Sequence, residues 1–461
     1  MERVFTDDAG KNMSAHRRSA HDMQAAPTGG VGDGKVYWHD GIGLLQSTRA
    51  APLDAVDVLV IGSGYTGLHA AIATARGGRS TQVIDTHSPG WGCSTRNGGQ
   101  ISPSIKPTLA ELTRKYGAER AMAIRNEGHT SLEWVGEFIK SEGIDCAYRQ
   151  CGRFHAAHTP AHFRELVEDT ERLGREEGVP FEIVSRGDQH KELGTNAYFG
   201  GVVLTRHASL DPAKYYAGLL QVAKDAGVAV TGNCPALDVR QEGGGYSVTT
   251  PMGQIRAEKV IIATNGYTTD LVPWVQRRVI PIGTYMIATD PLPKALIDRL
   301  FPKDRVVSDT CKVIYYYRPS PDRTRVLFGG RVSADETNPA VSGPKLKADM
   351  CRIFPELADY GYTHSWTGTV AFTFDTLAHL GQHDGIHYAM GYCGSGIGMA
   401  SYLGMRLGQQ LLGDPDGATA FDGLRFQTRP LYFGNPWFLP SVVRYYRLRD
   451  HWQIKRAATR S

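Results

Sequence analysis

The pattern of apolar and polar positions predicts alternating strands and helices early in the chain. The run 56–61 is apolar except at Asp57 and ends at a glycine, which is typical of a parallel strand buried on both faces. The Ala-rich segment 65–76 predicts a helix that Gly77 and Gly78 end. A second short strand is predicted at 81–85, so the pattern indicates a βαβ unit.

Further along, helical patterns alternate with short β-rich runs. Helices are predicted at 108–139, 160–178, 211–226 and 399–412, and strands at 148–155, 228–230, 246–250, 254–256 and 259–263. Two segments rich in β-branched and aromatic residues, 278–290 and 313–331, predict antiparallel sheet. The sequence contains no internal repeat with a period of 20–50 residues.

Composition and charge narrow the class of protein. The 461 residues are 41% hydrophobic and 21% charged, which is a globular balance. The net charge of +4 gives no reason to expect nucleic acid as a partner, and no apolar run is long enough to span a bilayer. The seven cysteines are scattered without a CxxC pair, so neither a disulfide framework nor a metal site is indicated. We expect a cytoplasmic protein with a disordered leader at 1–36.

The first chemical motif is Gly62-Ser63-Gly64-Tyr65-Thr66-Gly67, which follows the first strand and opens the first helix. Its glycines allow a tight turn, a close approach to a pyrophosphate, and close packing of helix on strand. The helix N-terminus then offers N–H groups and a positive dipole to phosphate. Asp85 ends the second strand, where an acid binds a ribose hydroxyl. Together these features predict a dinucleotide site, and the alternative is a Gly-rich turn of an unrelated α/β protein.

Two further glycine-rich segments suit a large polar ligand. Gly90–Gln100 mixes small residues with hydrogen-bond donors and one Arg, which favours a loop folded around a ligand over a flexible surface loop. Gly391–Gly398 holds four glycines in eight residues and feeds a helix, whereas a helix cap needs only one. The positive end of that helix would stabilise negative charge on a reduced flavin.

These segments resemble the D-amino-acid-oxidase-type FAD oxidoreductases, and within them the gamma-glutamylputrescine oxidoreductases. The resemblance spans roughly 37–413 and is carried by DVLVIGSGYTGLHAA, GWGCSTRNGGQ, YYYRPSPDRTRVLFGGR, SWTGTVAFTFDTLAHLG and MGYCGSGIGMASYLG. It implies an α/β fold with a Rossmann-like FAD-binding domain built from discontinuous segments and an inserted antiparallel-sheet substrate domain. We predict the FAD-binding domain at 37–145, 201–270 and 365–425, the substrate domain at 146–200 and 271–364, and a C-terminal extension at 426–461.

The resemblance also implies which residues bind FAD and which line the substrate pocket. The predicted FAD-binding residues are Gly62, Ser63, Gly64, Tyr65, Thr66, Gly67, Asp85, Thr86, Gly92, Cys93, Ser94, Arg96, Asn97, Gly98, Gly99, Gln100, Ala236, Thr264, Asn265, Gly266, Gly394, Ser395, Gly396, Ile397 and Gly398. The aromatic candidates for the pocket are Tyr285, Tyr315, Tyr316, Tyr317 and Trp366, and alternation along a strand allows only some of the three consecutive tyrosines to face it. The predicted pocket residues are Trp366, Tyr315, Tyr317 and Arg318.

One departure from the family pattern bears on the substrate. In the branches that oxidise amino acids, the W-x-G segment continues to an Arg-Pro that grips the substrate carboxylate. This chain has Val370-Ala371 there, which favours an amine, such as a gamma-glutamylputrescine-like compound, over a simple α-amino acid. Arg318 or Arg331 is expected to supply a cation at the pocket mouth.

The resemblance leaves two functional hypotheses open. One is an amine oxidase that passes electrons from FAD to O2. The other is a flavoprotein subunit or dehydrogenase that acts on an N-alkyl amino acid and passes electrons to a partner. The basic, aromatic tail 429–456 is a candidate docking surface for that partner, although its composition favours a tail packed on the protein's own core. Linkage of FAD to the protein is expected to be non-covalent, because Arg96-Asn97 and Trp366 stand where covalent relatives place His or Cys. Lys106 and Lys312 are candidates for a lysine near the flavin.

Overall fold

A computed structural model of the protein describes residues 34–43, 45–331 and 337–458. Most of the predicted leader lies outside these residues, but its last three do not. Val36 is buried in a cluster with Trp38, and the Gly34 N–H donates to the Ser365 carbonyl at 2.8 Å. The chain is therefore packed against the fold slightly earlier than the prediction places it.

The described residues alternate between strands and helices. The strands are β1 Ala55–Ile61, β2 Thr81–Ile84, β3 Gln100–Ile101, β4 Arg153–Ala156, β5 Phe181–Val184, β6 Gly201–Leu204, β7 Ala208–Ser209, β8 Ala229–Thr231, β9 Asp238–Glu242, β10 Gly245–Thr250, β11 Gly253–Ile262, β12 Ile280–Thr289, β13 Val306–Asp309, β14 Tyr315–Pro319, β15 Val326–Gly330, β16 Tyr362–Phe372, β17 His379–His383 and β18 Ile386–Met390. The α-helices are α1 Tyr65–Arg76, α2 Leu109–Tyr116, α3 Ala118–Ser141, α4 Pro160–Glu177, α5 Pro212–Asp225, α6 Pro273–Gln276, α7 Lys294–Leu300, α8 Pro339–Ile353, α9 Gly396–Leu412 and α10 Leu439–Ala458.

The first sheet carries the predicted βαβ unit. Its strand order is β17-β18-β11-β1-β2-β8, with β9 and β10 attached to β11, and β1 runs parallel to both β2 and β11. Helices α1 and α9 pack side by side on this sheet through small residues. A Cβ on Gly404 would lie 2.4 Å from the Thr66 carbonyl, and one on Gly408 would lie 2.6 Å from the Ala73 Cβ. Glycine is therefore required for the two helices to approach this closely.

The second sheet has the strand order β16-β12-β15-β14-β13-β4-β6-β5 and is antiparallel except between β13 and β4. Helices α7 and α8 cover one side, where Leu346, Met350 and Phe354 join a buried core. The other side, which we call the loop-facing side, is turned towards the glycine-rich segments. The predicted boundaries at 201 and 365 assign β6 and most of β16 to the FAD-binding domain, whereas both strands pair in this sheet.

Two predicted elements differ in extent from those observed. The helical pattern at 108–139 forms two helices, because Gly117 adopts a φ of 83° that breaks the helix. Conversely, the segments 254–256 and 259–263 form one strand, β11. Its first half pairs antiparallel with β10 and its second half parallel with β18, which explains why it begins polar and ends apolar.

The predicted C-terminal extension ends in α10, one side of which packs against the connection between β13 and β14. Asp450 is buried and accepts hydrogen bonds from the Lys312 and Val313 N–H groups at 3.1 and 2.9 Å. The opposite side exposes Tyr445, Leu448 and Trp452 by 62–68%. Across the described ranges, no helix combines the length and apolar character needed to cross a bilayer.

Candidate cofactor and substrate site

The segment Gly62–Gly67, which we call the first loop, joins β1 to α1 through positions that only glycine fits. Gly62 has a φ of 109°, and a Cβ on it would lie 2.8 Å from the Ala263 carbonyl. A Cβ on Gly67 would lie 1.9 Å from the Gly62 carbonyl, so α1 sits directly on the turn. The residue before α1 is Gly64, which has no side chain to cap the helix. The first turn of α1 therefore presents its N–H groups to whatever binds in front of it.

Asp85 lies beside the first loop. Its Oδ2 accepts hydrogen bonds from the Ser63 N–H and hydroxyl, both at 2.7 Å, and its Oδ1 accepts one from the His87 N–H at 3.0 Å. These bonds fix the carboxylate at the carboxyl end of β2. Thr86 follows it and is exposed, while Ala236 is partly buried against the core below the strand ends.

The second loop, Gly90–Gln100, is held in shape by its own polar groups. The Asn97 amide donates to the carbonyls of Cys93 and Ser94 at 3.1 Å, and its oxygen accepts from the Gly99 N–H at 2.9 Å. The Arg96 Nε donates to the Trp91 carbonyl at 2.7 Å. These hydrogen bonds give the second loop a defined conformation.

Hydrogen bonds and close contacts join the second loop to its neighbours. The Tyr65 N–H donates to the Ser94 hydroxyl at 3.2 Å, which connects it to the first loop. A Cβ on Gly92 would touch the Tyr267 ring, and Gln100 begins β3 and pairs with Ser209. The second loop is therefore fixed on both of its sides.

The third loop, Met390–Gly398, is held by the turn after β11. The Asn265 side-chain oxygen accepts from the Gly391 N–H at 3.0 Å, while Thr264 and Gly266 flank it at the strand end. The Ser395 hydroxyl donates to the Ser104 carbonyl at 2.8 Å, so the residue before α9 does not cap that helix with its side chain.

The glycines of the third loop divide into two kinds. Cβ atoms on Gly394 and Gly396 would face open space, whereas Gly398 packs against Ser131 and Ile397 is buried. Two helix N-termini without side-chain caps, at α1 and α9, therefore border the three loops.

The donor set of these loops fits FAD. The first loop and α1 would hold the pyrophosphate, Asp85 an adenosine ribose, and the second and third loops the flavin end, with the α9 N-terminus near its polar edge. Within the described ranges no cluster of three His, Cys, Asp or Glu side chains is arranged to hold a metal ion.

Of the predicted pocket residues, Trp366 reaches the second loop but two tyrosines do not. Trp366 is completely buried, and its Nε1 donates to the Arg96 carbonyl at 2.8 Å. Tyr315 and Tyr317 point to the helix-covered side of the second sheet, where Tyr317 stacks on Phe328 with ring centroids 5.3 Å apart. Their assignment to the pocket is therefore corrected.

Tyr316, between them, faces the loops, because successive side chains of a strand alternate. A Cβ on Gly98 would lie 3.3 Å from its ring, so the second loop rests against this tyrosine.

Arg318 also requires a correction, because it is not at a pocket mouth. It is 3% exposed, and its Nη1 donates to the carbonyls of Gly99 and Leu210, both at 2.9 Å. It therefore fixes the end of the second loop to the sheet. Arg331 is partly buried and donates to the Gly283 carbonyl at 2.7 Å.

Sequence reasoning missed residues that contact the second loop from distant segments. The Trp38 Nε1 donates to the Asn97 carbonyl at 2.9 Å, the His39 ring lies 2.8 Å from the Thr95 hydroxyl, and the Tyr267 ring centroid lies 5.6 Å from that of Trp91. None of these residues lies in a glycine-rich motif. The one available signal was the aromatic pair Tyr37-Trp38 at the predicted start of the ordered chain.

Comparisons with known proteins identify the family. Residues 57–410 match the FAD dependent oxidoreductase family, DAO, so the chain belongs to this family. It is 29% identical to gamma-glutamylputrescine oxidoreductase of Escherichia coli (strain K12) over 88% of this chain and 96% of that protein. It is 30% identical to a probable oxidoreductase OrdL of Rhizobium meliloti (strain 1021) over 86% and 92%.

Solved structures support the fold. Glycine oxidase from Geobacillus kaustophilus superposes with a TM-score of 0.68 at 19% identity, over 82% of this chain and 99% of that one. Iminodiacetate oxidase from Chelativorans sp. BNC1 gives 0.64 at 18% identity, over 80% and 98%. The predicted fold class is confirmed, and the protein is an FAD-dependent oxidase or dehydrogenase acting on C–N bonds.

Proposed function

We propose that this enzyme oxidises a primary or secondary amine of the gamma-glutamylputrescine type and passes the electrons to O2. The observation that carries the proposal is the side chain at 370. On β16, Trp366, Gly368 and Val370 share one side by alternation, and Gly368 packs against Cys93 of the second loop. An apolar Val370 stands where an amino-acid oxidase of this family has its carboxylate-binding arginine, so a simple α-amino acid would leave its carboxylate unpaired there.

Aromatic residues support binding of the amine in its neutral form. Burial raises the pKa of Tyr316 to about 12 and that of Tyr267 well above its ordinary range, so both phenols stay neutral. A pocket walled by such groups disfavours an ammonium ion and lowers the pKa of the bound amine. When bound, FAD would supply the hydride-accepting chemistry, while these residues orient the amine and exclude water.

Two buried thiols support non-covalent binding of FAD. Cys93 and Cys393 lie inside the second and third loops, and burial raises the pKa of each thiol to about 11. The thiolate is the nucleophilic form of cysteine, so both side chains are poor candidates for a covalent link. We expect intact FAD in the supernatant after acid precipitation, and flavin retained in the protein pellet would contradict non-covalent binding.

The second hypothesis, a dehydrogenase for N-alkyl amino acids with a protein electron acceptor, is kept because of α10. Its exposed side presents Tyr445, Leu448 and Trp452, a surface suited to a protein partner. Steady release of H2O2 by the purified chain with an amine would favour the oxidase. Anaerobic flavin reduction without H2O2 release in air would favour the dehydrogenase.

The direct test is anaerobic reduction of the FAD-loaded protein by a matched panel. The panel contains gamma-glutamylputrescine, putrescine, sarcosine, glycine and D-alanine under one set of conditions. We expect the second-order rate constant for flavin reduction by gamma-glutamylputrescine to exceed that for the small α-amino acids by about 10³-fold, since an unpaired buried carboxylate costs several kcal/mol. A preference for a small α-amino acid would overturn the proposal.

A further inference from the structure

A row of side chains on the loop-facing side of the second sheet leads away from the second loop. The strand registers align Trp366, Met286, Gly329, Tyr316, Ser308 and His155 across six neighbouring strands. The row is contiguous, since the His155 Nδ1 lies 2.9 Å from the Ser308 hydroxyl. From Tyr316 to His155 is two strand spacings, or about 10 Å. Arg153 lies two residues from His155 on β4, on the same side.

Four basic residues meet at this end of the row, and we call Lys106, Arg153, His155 and His207 the basic cluster. The His207 Nε2 lies 3.2 Å from the hydroxyl of Ser102, next to β3. Lys106 is four residues further along and is exposed. Desolvation by the surrounding protein lowers its pKa, the nearby Cys393 raises it less, and the charge of Arg153 lowers it further. Its charge therefore acts near Cys393 of the third loop and Arg153 of the sheet.

The basic cluster lacks the acidic partners that other buried arginines of this protein have. Arg125 pairs with Glu177 at 2.9 Å, and Arg305 pairs with Glu192. By contrast, the Arg153 Nε is buried with no hydrogen-bond partner among the described residues, and so is the Nδ1 of His207.

The charges around the cluster are of one sign. Burial lowers the pKa of Arg153 to about 10. Burial also lowers the pKa of His155 and of His207 well below the ordinary range, and the positive charge of Arg153 lowers both further. Buried cations without partners are unfavourable, so the arrangement is one that an anion would complete.

We propose that the basic cluster binds the carboxylate of the substrate, with Arg153 and Lys106 as its charged donors, about 10 Å from the aromatic residues that receive the amine. This inference rests on the proposed amine oxidation. It replaces the predicted anchors Arg318 and Arg331, and it selects amines with a carboxylate at the far end of an extended chain. The FAD pyrophosphate is assigned to the first loop, so it does not account for these cations.

The test compares two amines that differ only in the carboxylate: the putrescine monoamide of glutaric acid and that of pentanoic acid. We expect Arg153→Leu to lower kcat/KM about 30–100-fold for the glutaryl amide, mainly through KM, and less than threefold for the pentanoyl amide. Arg153→Lys should recover part of the loss, and Lys106→Met should lose about tenfold on the glutaryl amide alone. Arg175→Leu, on the exposed side of α4, is the matched control.

Binding of glutarate is a second measurement, which needs no turnover and can therefore be made on variants with weak activity. Glutarate should perturb the flavin absorbance of the wild-type holoenzyme, and Arg153→Leu should weaken its binding at least tenfold. Equal loss of kcat/KM for both amides, or equal glutarate affinity in wild type and variant, would overturn the anion site. Failure of every amine to reduce the flavin would overturn the proposed function, while the glutarate titration still reports on the cluster.

Discussion

The three glycine-rich loops and the loop-facing side of the second sheet serve one site by different means. The loops act through their backbone, since Gly62 and Gly67 occupy positions where a Cβ would collide with a carbonyl. In the proposed substrate site, the sheet would act through side chains such as Tyr316 and Arg153, which come from strands far apart in the sequence. A site formed by the backbone of a loop is encoded by consecutive residues, whereas a site formed by side chains of several strands depends on how those strands pair. The cofactor half of the site is therefore specified more locally than the substrate half.

The largest effect on the cofactor half of the site is expected from adding a single methyl group at Gly67. Gly67→Ala would place a Cβ 1.9 Å from the Gly62 carbonyl and 3.1 Å from a Val60 methyl, so the turn and α1 must separate. We expect at least a 100-fold loss of FAD affinity or failure to fold, measured by flavin absorbance per protein and circular dichroism. Gly43→Ala is the control, because its Cβ would meet nothing within 4 Å. Full FAD occupancy in Gly67→Ala would contradict the assignment of the first loop.

The same contrast explains what sequence reasoning achieved. The βαβ unit follows from adjacent residues and is observed. The run Tyr315-Tyr316-Tyr317 carries no information on which side faces the loops, so the prediction chose the wrong pair. The burial of Arg318 could not be predicted from the sequence either, because its carbonyl partners Gly99 and Leu210 lie 219 and 108 positions away.

A matched pair of substitutions sharpens the distinction between the two sides of the second sheet. Tyr317 is fully buried and its hydroxyl donates to that of Tyr198, so Tyr317→Leu should lower the free energy of unfolding by about 2–4 kcal/mol. The KM for the amine should change little. Tyr316→Leu should do the reverse, with a roughly tenfold lower kcat/KM and a smaller change in unfolding free energy. Denaturant unfolding and steady-state kinetics measure both, and a kinetic defect confined to Tyr317→Leu would reverse the assignment.

A carboxylate substitution tests the adenosine end of the cofactor site. Asp85→Ala removes the acceptor for two hydrogen bonds from Ser63 and the proposed contact to the ribose. Loss of charge-assisted hydrogen bonds of about 1.5–3 kcal/mol predicts a ~10–100-fold weaker FAD complex. Asp54→Ala, at an exposed carboxylate before β1, is the control. Titration of the apoprotein with FAD measures the affinity, and equal values in the two variants would remove Asp85 from the site.

A buried acid behind the substrate side of the molecule offers a test by pH dependence. Burial raises the pKa of Asp309 from 3.8 to about 7. Backbone hydrogen bonds oppose this shift, and the charge of Asp450 adds to it. Its Oδ1 accepts from the N–H groups of Cys311 and Tyr315 at 3.3 and 3.2 Å, and its Oδ2 accepts from the Tyr198 hydroxyl at 3.4 Å. An amide would preserve the two backbone bonds without carrying a charge.

The sign of the pH dependence follows from linkage. Between about pH 4 and 7 the folded protein keeps a proton on Asp309 that the unfolded chain has lost, so this group makes stability fall as pH rises and then level off. Asp309→Asn has no such proton to lose. We expect the variant to be more stable than the wild type at pH 8, with the advantage shrinking as pH falls towards 4. Urea unfolding at four pH values measures it. A variant that is less stable than the wild type at pH 8 would mean that the carboxylate is stabilised in its charged form, and that the region behind Tyr315 and Tyr317 is more polar than its packing indicates.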